Sequence, residues 1–328
     1  MLSVTTYASQ LQTLANIKRN QDSFAELSAQ VATGEKSADL STYGGTDARR
    51  VINADQQVSR LTAYNKAIDI VTPTVKEYSV QIDHMDDLAS AIGTALSGAN
   101  TFDKATANQL GTQIDNALRD LTSMLNEKNG NRYLWSGGNY DTAPVTDLTT
   151  LPDLATPAAF TPVTDPTLPD YYAAAPGTDA SAWTEASFSP EVGKTVQYGQ
   201  VASAEGIQQL IYGLQLAKSG LAAAAAAPDS ASAETAYDSF REQAQSVLKG
   251  SRDGLKSLST QVSLDLASIT TSRDTNTAQI NLFKDERGKI TDIDTAEAGV
   301  KLNQVQIQLD ATYQIVAKLT STSLVNYL

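Results

Sequence analysis

The chain has no cysteine, and its 328 residues include one histidine, His84. The first absence removes disulfides, thiol nucleophiles and thiolate metal sites. The second removes multi-histidine metal centres and leaves a single imidazole as a candidate general base. Aromatic residues amount to 6% and hydrophobic residues to 41%, many of them alanine. That balance suits packed slender helices better than a large globular enzyme core. Positive charge is also scarce: 24 Lys and Arg stand against 37 Asp and Glu, a formal net charge of −13. Phosphate-rich partners are repelled by such a chain, so neither nucleic acid nor an anionic membrane is expected to bind it. No apolar run approaches the roughly 18 residues of a bilayer span. Met1 to Asn20 lacks the basic start and apolar centre of a general secretory leader, so export without a cleaved signal remains open.

What the sequence does have is heptad patterning. Ala298, Leu302, Val305, Leu309, Thr312, Val316, Leu319 and Ser323 step by four and three almost to the carboxyl end. A helix cannot bury its own apolar stripe, and termini normally carry polar residues, so this seam needs a partner. The amino end offers one in Leu14, Ile17, Phe24, Leu27 and Val31. The pattern predicts terminal helices that pair with each other or with neighbouring copies.

Between the ends the chain falls into three zones. From Thr5 to about Asn129 the pattern predicts long helices: Leu61, Tyr64, Ile68, Val71, Val75, Tyr78, Ile82, Met85, Ala89, Ile92 and Leu96 alternate without interruption, roughly 50 Å of helix at about 1.5 Å per residue. Pro73 inside this run predicts a kink or a restart. A second helix comes next, on Leu110, Ile114, Ala117, Leu121 and Met124. From about Asn129 to Ser203 stand eight of the ten prolines, which predicts a loop-rich, mostly β insertion. Residues 141–203 hold eight acidic residues and one lysine, Lys194, the composition of an exposed acidic face. Helical patterning then returns from Ala204, with Pro228 expected in the first turn of a helix that runs on toward the terminal repeat. Helix, insertion, helix implies one antiparallel helical bundle that brings both chain ends together.

Reactive constellations are few. His84, off the main seam beside Ile82 and Met85, reads as a half-exposed helix residue. Asp83, Asp86 and Asp87 point in different directions on a helix, as a solvated face does rather than a cation site. Gly44-Gly45 lacks the lysine and spacing of a phosphate-binding loop and reads as a helix break, with Thr46 or Asp47 as candidate caps. Arg49-Arg50 is an isolated basic pair suited to ion pairing between subunits. Asn129-Gly130 predicts a tight turn into a strand, with Trp135 anchoring a small hairpin on the bundle. No catalytic residue, cofactor site or metal site is expected, and the chain does not read as an enzyme.

The stretch Asn129-Gly130-Asn131-Arg132-Tyr133-Leu134-Trp135-Ser136-Gly137-Gly138 resembles the asparagine-glycine, tyrosine-leucine-aromatic, small-glycine signature of the flagellin superfamily, in the form typical of its hook-filament junction members. Leu302-Asn303-Gln304-Val305-Gln306 with Leu309 and Tyr313, then Ser323-Leu324-Val325-Asn326-Tyr327-Leu328, is similar to the same branch. Ala32-Thr33-Gly34-Glu35-Lys36 resembles the threonine-glycine turn of flagellin amino ends, continuing into Ser37-Ala38-Asp39-Leu40 where the family usually has an Asn-Ser-Asp-Asp-Pro type of stretch. The resemblance implies a mainly α fold, a long antiparallel bundle or coiled coil with a central insertion. It divides the chain into a terminal coiled-coil domain (1–36 plus 291–328), a helical rod domain with a small β-hairpin (37–140 plus 204–290) and an exposed acidic insertion (141–203). It further implies an extracellular structural part of the bacterial flagellum, exported through the flagellar type III channel. Its partners would be copies of itself, a neighbouring hook-associated protein, flagellin and an export chaperone. Filament flagellin and a secreted coiled-coil effector stand as the alternatives.

Overall fold

The computed structural model describes residues 2–165, 167–173 and 183–325, and of 2–10 and 319–325 the backbone alone. Six α-helices dominate the described residues: α1 (Leu2–Thr33), α2 (Gly44–Gly98), α3 (Lys104–Leu125), α4 (Glu205–Ala226), α5 (Ser230–Thr291) and α6 (Thr295–Val325). Four short strands, β1 (Lys128–Asn129), β2 (Arg132–Tyr133), β3 (Ser187–Glu191) and β4 (Lys194–Gln197), form two antiparallel hairpins. The fold is mainly α, as the periodicity predicts.

Several boundaries differ from the sequence expectation. α2 passes through Pro73 without a restart: a proline removes one backbone donor, and a 55-residue helix packed along its length outlasts the loss of one ladder bond. Thr46 and Asp47 lie inside the first turn of α2 rather than at its cap. Pro228 precedes α5, whose Asp229 carboxylate receives the Ser232 N–H. Among its described residues the proline-rich insertion has little β structure, namely β3, β4 and the isolated bridges Val145–Tyr172 and Ser136–Val201, with a short 3-10 helix at Leu148–Thr150, because prolines at that density deny a ladder its donors. Pro190 sits within β3, where the pairing register shifts between Phe188 and Glu191.

The chain divides into two compact units, one of Met1–Leu61 with Ala278–Leu328, the other of Thr62–Thr277. The second holds the hydrophobic core. There α2 and α5 run antiparallel, tied by the bidentate pair of Arg252 with Asp86 at 2.9 and 3.1 Å, by Gln245 to Ser97 at 3.1 Å and by Asn276 to Asn65 at 3.1 Å. The α2 seam predicted from the heptads is buried from Ile68 through Leu96, and α4 lies against α5 at a crossing of two glycines. A Cβ on Gly206 would stand 2.7 Å from the Gly254 carbonyl carbon, so only glycine permits that approach. Asp103 caps α3 through the Thr106 N–H, which holds its carboxyl below the usual range.

In the first unit α1 packs against α6. Their connections to α2 and α5 pair with each other: Lys36 N–H donates to Thr291 O at 2.7 Å and Ile293 N–H to Gly34 O at 3.0 Å. Gly34 adopts φ +77 to make this crossing. The Lys36 ammonium donates to Ile290 O at the carboxyl end of α5, and Arg287 pairs with Glu35 at 2.9 Å and Asp55 at 3.0 Å.

Candidate assembly surface

The terminal helices carry apolar residues that the chain itself leaves partly uncovered. On α6, Ala298 and Leu309 are buried while Leu302, Val305, Thr312 and Val316 are half-buried, one face at heptad spacing. On α1, Ile17, Phe24 and Leu27 are half-buried, and Gln21 donates to the Tyr313 hydroxyl across the pair at 2.8 Å. Leu14, 59% exposed, and Val31, 36% exposed, belong to the predicted stripe but lie outside this contact. The side chain of Leu319 and residues Asn326, Tyr327 and Leu328 fall outside the described residues.

Beyond the predicted seam the structure shows a second apolar row. Val300, Ile307 and Ile315 on α6 are 70, 63 and 54% exposed, and Leu11 on α1 is 50% exposed. Their spacing of seven and eight was present in the sequence as a separate helical face. A helix apolar on two faces needs more than one neighbour.

The other motif residues cluster around the β1–β2 hairpin. Asn129 pairs with Arg132 and Lys128 with Tyr133, and Gly130 takes φ +65 at the first central position of the two-residue turn. Asn129 donates to Thr74 Oγ1 on α2 at 2.9 Å. Tyr133 is half-buried, Leu134 and Gly137 are buried, and Trp135 is wholly buried with its indole N–H donating to Gln81 Oε1. The sequence expectation that Trp135 anchors the hairpin on the bundle agrees with this packing.

His84 is exposed rather than half-exposed, and among the described residues no group of three or more His, Asp or Glu is arranged to hold a metal ion. Arg50, expected to pair between subunits, pairs within the chain with Asp47 at 3.5 Å and Glu286 at 3.2 Å. One acidic pair is unusual. Asp265 on α5 is 8% exposed, with Oδ1 receiving Gln261 at 3.1 Å and Oδ2 buried without a partner. Burial pushes its carboxyl pKa up, and burial plus the Asp265 charge does the same for Glu185 just before β3. No helix among the described residues is long and apolar enough to cross a membrane.

The arrangement defines a mainly helical protein whose paired terminal helices keep apolar residues exposed. Residues 255–328 match the family model of the bacterial flagellin C-terminal helical region. Among solved structures, a flagellar hook-associated protein from Vibrio parahaemolyticus is similar at a TM-score of 0.44 and 10% identity, over 74% of this chain and 98% of that one. No curated protein matches the chain.

Proposed function

We propose that the chain is the adaptor that joins the flagellar hook to the filament, assembling through its terminal helices into a ring or helical layer. The observation that carries this reading is the flagellin C-terminal match over 255–328, in the region where α6 pairs with α1 and still exposes a second apolar row. The Asn129 to Gly138 stretch and the Asn326-Tyr327-Leu328 ending favour the junction over the filament. In this reading residues 1–36 and 291–328 form the inner tube, 37–140 and 204–290 the surrounding helical layer, and 141–203 project outward.

Leu14, Ile17, Phe24, Leu27, Val31, Leu302, Val305, Leu309, Val316 and Leu319 form the assembly seam. Helix nucleation is costly and helices in proteins draw most of their stability from packing, so in this reading α1 and α6 reach full stability only when the tube wall covers them. The chain reaches that wall unfolded through the flagellar export channel, escorted by a chaperone, and then contacts a neighbouring hook-associated protein and flagellin. Contacts of this head-to-tail kind are heterologous and close into rings or extend as helices.

Imaging a deletion strain tests the reading. Hooks without filaments, with unpolymerised flagellin in the medium, are the expected result. Sheared flagella should contain about one ring of this chain rather than the thousands of copies of a filament subunit; thousands would make it a filament flagellin. Intact filaments in the deletion strain would overturn the flagellar role.

A further inference from the structure

The β1–β2 hairpin carries two cations that no carboxylate answers: among the described residues neither Lys128 nor Arg132 makes an ion pair. Each is laid over a tyrosine ring instead. Lys128 Nζ stands 4.4 Å from the Tyr133 centroid, and Arg132 Cζ stands 3.5 Å from that of Tyr140. Stacking of this kind fixes long side chains in place before a partner arrives, which lowers the entropy lost on binding.

Beside them, between the hairpin and α2, opens a cavity of about 170 Å³ walled by Val71, Tyr78, Tyr133 and Tyr198. Ile70 lines the same cavity and is 77% exposed. Tyrosine and arginine around a small apolar hole with an exposed aliphatic residue is the composition of an interaction hot spot.

The complementary half is on the same chain. Residues 141–203 hold eight acidic residues and one lysine. Asp141, Asp153, Asp165 and Asp170 are exposed, and among the described residues none of them makes an ion pair. The insertion's own Ala186 and Tyr198 wall one side of the cavity, yet its exposed aspartates leave the two cations unpaired within one copy, and opposite charges left unpaired in this way meet the requirement for a heterologous contact between two copies. We propose that the Lys128 and Arg132 face, with its tyrosine-lined cavity, docks the acidic insertion of a second copy, an apolar side chain entering the hole while carboxylates meet the two cations. This rests on the self-assembly proposed above and adds a lateral contact distinct from the terminal seam.

The test uses full-length chains. A hairpin-reversed variant, Lys128→Glu with Arg132→Glu, and an insertion-reversed variant, Asp153→Lys with Asp170→Lys, change exposed side chains only; unchanged circular dichroism and melting establish that both fold. Assembly is read as the critical concentration in sedimentation, at low and high salt. Each variant alone should need about tenfold more protein to assemble at low salt, and the unmodified chain should lose that advantage at high salt. An equal mixture of the two variants should regain it, because reversed charges then meet across copies. Wild-type assembly by the hairpin-reversed variant, or no rescue in the mixture, overturns the contact while leaving terminal assembly standing. Rescue only on adding a different flagellar component overturns the choice of partner. Failure of the unmodified chain to assemble at all overturns both proposals.

Discussion

Tyr78 meets Trp135 edge to face, with ring centroids 5.0 Å apart and planes at 80°. The Tyr78 hydroxyl donates at 2.6 Å to the backbone carbonyl of Leu134, the residue before that tryptophan. The pair joins α2 to the segment that follows β2 by an aromatic contact and a buried hydrogen bond at once. Trp135→Ala should cost about 3–5 kcal/mol, since it empties a fully buried site, and Tyr78→Phe about 1–3 kcal/mol, since it orphans a buried carbonyl. Chemical denaturation measures both; equal, small losses would mean that the hairpin is not anchored there.

Leu309 and Leu14 separate packing within the chain from packing between chains. Leu309 is 8% exposed and Leu14 59% exposed. Leu309→Asp should both loosen the α1 and α6 pair and block incorporation into flagella, leaving the 62–277 unit folded. Leu14→Asp should leave the melting of the monomer within about 0.5 kcal/mol of wild type and still block incorporation. Normal flagella carrying Leu14→Asp would remove that residue from the assembly seam.

The Asp265 and Glu185 pair gives stability a definite pH dependence. Both carboxyls have folded-state pKa values raised by burial, so the folded protein holds protons that the unfolded chain releases. Their favourable share is complete below the ordinary carboxylate range and is lost as pH rises through the raised folded values. Asp265→Asn should therefore stabilise the protein at neutral pH by about 1–3 kcal/mol and have little effect in acid. Thermal melts across pH read this directly, and an equal effect at every pH would contradict it.

Arg287 holds the paired connections at the base of the terminal helices through Glu35 and Asp55. The side chains are partly exposed, so Arg287→Ala should cost only about 1 kcal/mol or less globally. Its effect should instead be local, with faster amide hydrogen exchange at Lys36 and Ile293. Unchanged exchange there would show that the backbone pairing holds the connections without the arginine.

Gly206→Ala should cost about 1–3 kcal/mol, because the new methyl would lie 2.7 Å from both the Gly254 carbonyl carbon and the Leu255 nitrogen, backbone atoms with no room to yield. The same change at Gly93, where a Cβ meets nothing within 4 Å, should be neutral or slightly stabilising.

Heptad spacing made the long helices legible: the α2 seam from Ile68 to Leu96 and the α6 face from Ala298 to Val316 are read directly from positions in the sequence. Asn129-Gly130 likewise marked the hairpin turn, because a two-residue turn with glycine first is a local requirement. The insertion was less legible. Proline density signals that regular structure is absent without saying what replaces it, and the short β3 and β4 pair is contacted from far along the chain, where Asn276 of α5 donates to the Pro190 carbonyl. The continuity of α2 through Pro73 was equally hidden, since packing along the whole helix outweighs one local defect.

By itself, then, the sequence determined the features that local periodicity and chemistry dictate: which segments are helices, which faces are apolar, where the chain turns, and that thiol chemistry is excluded. The tertiary structure decided which apolar positions find a partner inside the chain. It buried Leu309, left Leu14, Val300 and Ile307 exposed, and placed the Lys128 and Arg132 cations over tyrosines without a carboxylate. The reason is that a seven-residue repeat states that a stripe must be covered but carries no record of what covers it; that is settled only when residues distant in sequence compete for the same surface.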